Sequence, residues 1–550
     1  MALSPRLQMT LKTLSTLPTL AKSLVTSGIV DPKGPVKATA GLIPGLARYW
    51  FSFAREVEAA YEGAPDRVAL IDDDGTLTYR EMRNQSRTIA RYLLSLQLDT
   101  IRLGIMARNG RGILLPMAAK GYAGAEMYLL NVGSSPEQVL GCLQENNINV
   151  LFVDDEFADR LPENYPGLTV VIAHADNPIP ADTESMDQIV RHPERYADIS
   201  LPLMPRHGKI VLMSSGTSGV PKGVVRPEPR LPVVLSGYLT TLPMRAGDTI
   251  QMTASMFHTW GWGATNVAVG ARCTIVTQRV FNAENCWRQI EKYRADALVS
   301  SPIFIKQMLQ LEGQEKFDTS SLRYLASSGN ALTPALVQET IERFGPILAN
   351  IYGSTELTLA ATATAEAIAA DPTVAGRVSP GTILKVLDAE GNELPQGEVG
   401  RIHLRNSTSL TGYTNPAIEI VQRQGLIEIG DLGYIDDDGY LHVLGRIDDM
   451  IIVGGENVYP RSVEEILEPM PGVADLTAKG VDDAVTFKRI AVWIVREDSP
   501  EGNALTEDAV RQWVSDKLAD HSIPRDVHFV EELPRNATGK VMPRMLVDEA

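Results

Sequence analysis

Cysteine is scarce in this sequence: Cys142, Cys273 and Cys286 are all it holds in 550 residues, an odd number set far apart. No C-x-x-C or H-x-x-x-H spacing occurs among them and the eight histidines. Neither a disulfide framework nor a zinc site is therefore expected, and a reducing, cytoplasmic compartment fits. No apolar run approaches the length of a membrane span. Basic charge is in deficit, with 51 Lys and Arg against 68 Asp and Glu and a net charge of −17. That excludes nucleic acid as the main partner, since phosphate neutralisation needs a basic face. Acid, in turn, is missing from the first thirty residues, which carry Arg6, Lys12 and Lys22. There Leu3, Leu7, Leu11, Leu14, Leu17, Leu20 and Leu24 recur three or four apart, so they share a helical face that Pro18 should kink or restart. Such a segment suits a membrane interface, a transit peptide or a helix packed on the protein's own body. Packing or peripheral membrane contact through residues 1–30 is preferred over import. With no uninterrupted apolar h-region, secretion is not expected.

What is present is ordinary for a globular chain: 44% hydrophobic and 22% charged residues, and enough length for more than one domain. From about residue 50 strand and helix signals alternate. Val68–Ile71 and Thr76–Tyr79 flank the turn Asp72-Asp73-Asp74-Gly75 and read as a hairpin. Uninterrupted apolar runs follow at 102–106, 150–153, 249–253, 272–277, 297–300, 322–326 and 349–351, as in strands buried on both faces of a parallel sheet. Residues 375–445 change to short alternating strands with turns at Gly391-Asn392 and Asp438-Gly439, which predicts a small β subdomain. From about 449 a compact α/β pattern restarts, long enough for its own domain. The fold class expected is α/β: a large N-terminal domain of two α/β layers plus the β subdomain, then a small mobile α+β domain. The boundaries drawn are 1–48 for the extension, 49–447 for the large domain and 448–550 for the lid.

Chemistry concentrates at a few loops. Ile210–Met213 reads as a buried strand, and Ser214, Ser215, Gly216, Thr217, Ser218 and Gly219 after it are all small. Main-chain N–H groups close around phosphate oxygens where Cβ is short or missing. Lys222 adds charge at the rim. Pro221 argues against a helix under the phosphates, so the loop should return to a strand at Gly223-Val224-Val225 rather than form a Walker A turn. A surface turn has the same composition. Tyr352-Gly353-Ser354-Thr355-Glu356 follows an apolar run and sets Glu356 past a strand's carboxyl end, where a carboxylate can hold Mg²⁺ against phosphate, or merely cap a helix. Gly430-Asp431 offers an acid suited to a ribose diol, or a plain turn. Gly445-Arg446-Ile447-Asp448-Asp449 is a charged junction, hinge or solvated loop. Gly539-Lys540 places a lysine beyond a glycine turn, by base rate an exposed tail.

Together, and in this order, these motifs resemble the AMP-forming acyl-CoA synthetases, the adenylating superfamily that includes firefly luciferase and nonribosomal-peptide adenylation domains. The resemblance runs from about residue 50 to about 545 and leaves the first 45 or so residues outside. It implies an ATP- and Mg²⁺-dependent ligase. The 214–223 loop would hold the β- and γ-phosphates, with Thr217 and Glu356 near Mg²⁺. Gly329-Asn330-Ala331 and Asn350-Ile351-Tyr352, with Gly353, would enclose adenine. Thr355 would contact the α-phosphate, Asp431 and Arg446 the ribose. Lys540 would bridge the carboxylate and the α-phosphate, and Asp448 would be the pivot between two half-reactions.

Phe257-His258-Thr259-Trp260-Gly261 resembles the family's gating segment, with His258 beside the acyl pocket. The form Gly454-Gly455-Glu456-Asn457-Val458-Tyr459-Pro460 is the one common in CoA ligases, its glycines letting a pantetheine arm pass. No carrier module is fused to the chain, so CoA is the expected acceptor. The pocket candidates Trp260, Trp262, Ala264, Pro302, Ile303 and Gly353 include no Arg or Lys, which implies a hydrophobic monocarboxylic acid. One of the two tryptophans is expected to be ordinary core. Within the resemblance the leucine-rich N-terminus tilts the reading to medium- or long-chain fatty acids, as in bacterial fatty acyl-CoA ligases. The alternatives are an aryl- or bile-acid-type CoA ligase, an enzyme loading a carrier protein, and a catalytically dead nucleotide-binding regulator. Two departures stand out: Ile429 before Gly430-Asp431, where relatives carry Ser or Thr, and Arg226-Pro227-Glu228-Pro229 in place of a His-bearing stretch. Oligomeric state is not legible.

Overall fold

The computed structural model describes residues 4–30, 45–50, 52–163, 165–179, 183–214, 221–228, 231–447, 449–453, 456–483, 487–536 and 539–546. Strands β1 (Val68–Asp72) and β2 (Gly75–Thr78) form the expected hairpin, with Gly75 at φ 102° where a side chain would be strained. Thr78 and Glu81 cap the next helix reciprocally, so it starts at once at Tyr79.

Apolar runs then build six strands of a seven-stranded sheet, β3 (Arg102–Met106), β4 (Glu126–Leu129), β5 (Val150–Asp154), β6 (Thr169–His174), β7 (Ile210–Ser214) and β8 (Lys222–Arg226), and the short strand Gly412–Tyr413 adds the seventh on β8. All its pairings are parallel until β8 returns antiparallel on β7. The helix Arg111–Ala123 lies in the main core, buried from Gly112 onward, which is why its sequence shows no apolar stripe.

The second sheet has fourteen strands. Its parallel half holds β9 (Thr249–Met252), β10 (Thr274–Val276), β11 (Ala297–Ser300), β12 (Tyr324–Ser327) and β13 (Leu348–Tyr352), with the β1–β2 hairpin at one edge. β14 (Ala361–Ala363) turns back antiparallel on β13 and begins the other half. That half continues through β15 (Gly376–Val378), β16 (Ile383–Leu387) and β17 (Gly400–Arg405). β18 (Gly412–Tyr413) crosses to pair with β8, and β19 (Gln422–Arg423), β20 (Leu426–Ile435) and β21 (Tyr440–Arg446) close the set. This β region keeps its own cluster of Ile402, Leu404, Ile427, Ile429 and Leu441. It is nonetheless hydrogen-bonded to the parallel sheet, because the free edge of β14 takes up β15.

The C-terminal module pairs β22 (Ile451–Val453) with β23 (Glu456–Val458) and builds a three-stranded sheet from β24 (Val473–Asp483), β25 (Phe487–Arg496) and β26 (Asp526–Val530). Its core is separate, centred on Val463, Leu467, Val492, Ile494, Val510 and Val514.

The N-terminal segment departs from expectation. Pro5–Thr26 is one helix that runs on through Pro18 rather than breaking there. Pro18 lies on the exposed side, while Thr16, Leu20 and Ser23 are buried, so packing holds the turn that the missing N–H weakens. Nor do the leucines share one environment: Leu20 is buried, and Leu7, Leu11 and Leu14 are exposed. No helix among the described residues is long and apolar enough to cross a membrane.

Candidate active site

The phosphate-loop motif sits where one strand reverses into the next. Ser214 pairs with Lys222 at the end of the β7–β8 ladder, so the chain comes back antiparallel on the far side of the motif. Ser215, Gly216, Thr217, Ser218 and Gly219 themselves lie outside the described residues, as do Asp448, Gly454 and Gly455.

Two parallel strands bring the adenine motifs side by side. Ser327 at the end of β12 is in register with Asn350 on β13. Gly329, at φ 95°, therefore leads Asn330 and Ala331 out beside Tyr352 and Gly353. Asn350 donates through Nδ2 to the Ala375 carbonyl at 3.2 Å. Strand alternation sends the side chain of Ile351 the other way, into the main core at 2% exposure. A Cβ on Gly353 would run into the backbone of Thr358, so only glycine fits that turn.

Beyond β13, the backbone of Thr355 and Glu356 is held from two sides. Leu410 N–H donates to the Glu356 carbonyl at 2.7 Å. Arg226 donates from Nη1 to the Thr355 carbonyl at 2.8 Å and from Nη2 to the Thr408 carbonyl at 3.0 Å. The Glu356 carboxylate meets the Tyr413 hydroxyl at 3.4 Å, and burial beside this acid pushes the Tyr413 phenol up to about 12. No group of three or more His, Cys, Asp or Glu able to hold a metal occurs among the described residues. A hard carboxylate at a strand end with one long contact fits Mg²⁺, which takes most of its ligands from phosphate and water.

Asp431 and Arg446 are cross-strand partners on β20 and β21. Arg446 Nη1 lies 3.1 Å from Asp431 Oδ1, and the Tyr352 hydroxyl donates to Oδ2. Burial raises the Asp431 carboxyl against the lowering pull of Tyr352 and Arg446, and it holds the Tyr352 phenol well above its ordinary range beside that carboxylate. Tyr352 thus ties the adenine motif to the Asp431–Arg446 pair.

The gating segment is anchored by a residue that sequence reasoning missed. Asn109, buried in the turn between β3 and the helix Arg111–Ala123, donates to the Ala254 carbonyl at 3.0 Å and accepts from Met256 N–H at 2.8 Å. His258 stands at the N-terminal boundary of the helix Thr259–Gly270 without a side-chain capping bond, its ring centroid 4.5 Å from that of Phe257. Its Nε2 is shut from solvent without a hydrogen-bond partner, and burial drops the imidazole to about 4. A depressed folded value means that the unfolded chain binds the extra proton. Stability from this site is therefore present above about pH 6.5 and lost as pH falls towards 4, by about 3 kcal/mol. His258→Gln should flatten that part of the stability–pH curve in urea titrations.

Trp260 donates to the Ser300 carbonyl at 2.8 Å and stacks on Tyr238 with centroids 6.2 Å apart. Trp260 and Ala264 are buried on the same helix, and Pro302 and Ile303 open the helix Pro302–Leu309. A cation outside the candidate set, Arg226, stands beside one of its members. The antiparallel return of β8 carries this guanidinium 5.6 Å over the Trp262 ring, where burial lowers it to about 10.

The lysine turn is more ordered than an exposed tail. Asn536 accepts from Lys540 N–H at 2.9 Å, and Arg535 donates to the Gly539 carbonyl at 2.6 Å and pairs with Asp475. Gly539 sits against the large domain, where a Cβ on it would come within 2.5 Å of Ile303 Cγ2. From the same helix, Lys306 lies 3.5 Å from Asp475 and 3.8 Å from Glu468. The Lys540 side chain is exposed.

Two sheets tied together by Arg226 and Leu410 at the backbone beyond β13, with a small C-terminal module whose lysine turn seats on the helix Pro302–Leu309, make up the fold of an adenylating enzyme. The chain belongs to the AMP-binding enzyme family: residues 57–414 match that family, and residues 462–540 match the AMP-binding enzyme C-terminal domain. It is an adenylate-forming CoA ligase, working with ATP, Mg²⁺ and CoA. It is similar to a fatty acid–[acyl-carrier-protein] ligase of Streptomyces coeruleorubidus, 28% identical over 88% of this chain and 93% of that protein. It is also similar to a 2-succinylbenzoate–CoA ligase of Bacillus licheniformis, 29% identical over 88% and 97%. The structure of the anthranilate CoA ligase AuaEII in complex with anthranoyl-AMP has the same fold, with a TM-score of 0.80 and 24% identity over 90% of this chain and 96% of that one.

Proposed function

We propose that this ligase activates a hydrophobic monocarboxylic acid, a medium- or long-chain fatty acid, to acyl-AMP with release of pyrophosphate, and then transfers the acyl group to CoA. The observation that carries the reading is the seating of Gly539 against Ile303, which sets the lysine turn beside the apolar side chains read as the acyl pocket. In this reading residues 214–222 cradle the β- and γ-phosphates, and Thr217 and Glu356 hold Mg²⁺, which supplies positive charge for the leaving pyrophosphate. Asn350, Tyr352 and Gly329–Ala331 enclose adenine, Thr355 meets the α-phosphate, and Asp431 with Arg446 holds the ribose. His258, neutral at pH 7, lines a dry gate. Residues 448–550 act as the lid, pivoting at Asp448, with Gly454 and Gly455 passing the pantetheine arm. A cytoplasmic setting belongs to the same proposal. Arg226 does not call for a second carboxylate on the acid, because its Nη groups already serve two carbonyls.

A second reading, an aryl acid, is favoured by the flat ring pair of Tyr238 and Trp260 and by the 2-succinylbenzoate relative. Mass spectrometry of products after incubation with ATP, Mg²⁺, CoA and a mixture of medium-chain, long-chain and aryl acids separates the two. Fatty acyl-CoA as the dominant product supports the first reading, and aryl-CoA alone replaces it.

Arg226 is a positioning residue here, since it acts through the backbone of Thr355. Arg226→Met leaves two half-buried carbonyls without the donors that Arg226 supplies, a loss of about 1–3 kcal/mol. Acid-dependent pyrophosphate release should fall at least about tenfold, with the KM for ATP rising more than the KM for the acid. Arg226→Lys should restore part of it. Equal changes in both KM values would count against the clamp.

A further inference from the structure

We propose that the helix Pro5–Thr26 is a docking surface for an anionic lipid bilayer. The helix is amphipathic the wrong way round for a segment that merely packs. Its inward side buries Thr16 and Ser23 beside Leu20, and both hydroxyls turn back on their own helix, Thr16 to the Lys12 carbonyl at 2.7 Å and Ser23 to the Thr19 carbonyl at 2.8 Å. Its outward side presents Leu7, Leu11, Leu14, Pro18, Ala21 and Val25 in one stripe at helical spacing. Leu7, Leu11 and Leu14 are 44, 48 and 54% exposed. Three isolated surface leucines need no explanation, whereas three on adjacent turns of one helix face make a patch.

The helix is also fixed in place. Ser27, just past its end, accepts from Ala246 N–H at 2.7 Å, and Arg272 donates to the carbonyls of Gly28 at 2.7 Å and Ile29 at 3.1 Å. At the other end Pro5 lies against Gly425. The stripe is therefore held facing outward.

Charge names the occupant. In a chain of net charge −17, the first thirty residues carry Arg6, Lys12 and Lys22 and no acid. Arg6 and Lys22 are exposed on this helix, and Val25 borders an open cavity of about 420 Å³ whose wall carries Arg245 and Arg272. An apolar stripe flanked by cations matches the interface of an anionic membrane, with leucines at acyl-chain depth and the cations among headgroups. A second copy docking through the same stripe would bring two cationic, acid-free faces together, with no carboxylate on either to offset the repulsion. The proposal stands whichever acid the enzyme takes. It does leave only the N-terminal helix between the bilayer and the helix Leu235–Thr241, on which it packs and whose Tyr238 stacks on Trp260.

The test is co-sedimentation of the full chain with vesicles of phosphatidylcholine alone and of phosphatidylcholine containing phosphatidylglycerol. The anionic vesicles should bind the protein, and raised salt should weaken that binding. The triple variant Leu7→Ser, Leu11→Ser, Leu14→Ser should bind about tenfold more weakly while melting at an unchanged temperature by circular dichroism. Arg6→Glu with Lys22→Glu should act in the same direction. No binding to either vesicle, equal binding to both, or undiminished binding by the triple variant would overturn the proposal. So would a dimer in sedimentation velocity that the triple variant dissolves without any vesicle binding.

Discussion

Lys540→Ala is expected to slow acyl-AMP formation by about 10²–10³-fold, about 3–4 kcal/mol of transition-state stabilisation, while sparing transfer from supplied acyl-AMP to CoA. A carboxylate approaching the α-phosphate meets like charge, and a preorganised cation offsets it where negative charge develops. Preorganisation is visible in the turn itself. Asn536 and Arg535 fix the backbone around Gly539 and Lys540, and Arg535 is in turn held by Asp475. Alanine removes the ammonium and leaves those backbone contacts in place, so the loss falls on the rate and not on lid seating. Acid-dependent pyrophosphate release and thioester formation from synthetic acyl-AMP, assayed separately, check this. Equal loss in both half-reactions would remove Lys540 from its proposed role.

Much of this site is legible in the sequence because its motifs are local. A run of small residues after an apolar strand, a Glu just past another strand and a Gly–Lys turn each keep their meaning within a few positions. The antiparallel return at Gly223 follows from Pro221 for the same reason. Long-range pairings are different. That Tyr352 would reach Asp431, 79 positions on, depends on how β13 lies against β20 and β21, and no spacing in the chain records it. Asn109 looks like a loop residue until the fold sets it under Ala254 and Met256. Pro18 reads as a break, but the helix survives because the body supports its other side. Arg226 and Glu228 were visible as departures from the family pattern, yet their partners lie on other elements.

Glu228 gives the second large effect. Lys120 lies in the helix Arg111–Ala123 inside the main core, and its Nζ is 2.7 Å from Glu228 Oε1, with side chains 4% and 8% exposed. Taking one partner from such a pair strands the other charge in an apolar interior, typically a loss of about 3–5 kcal/mol. The two single variants should not be equal. Glu228 has a further neighbour, His207 Nδ1 at 2.8 Å and near solvent, so Lys120→Met leaves the carboxylate one polar contact. Glu228→Gln leaves the ammonium with an amide oxygen inside a buried helix, and Glu228→Ala leaves it with nothing at that position. Urea unfolding should therefore rank Glu228→Ala as the most destabilising, then Glu228→Gln, then Lys120→Met. The double variant Lys120→Met with Glu228→Gln should recover most of the loss, because removing both charges removes the desolvation penalty along with the attraction. Additive losses in that cycle would mean that the two side chains contribute by packing alone, and that the buried charge is held by groups other than each other.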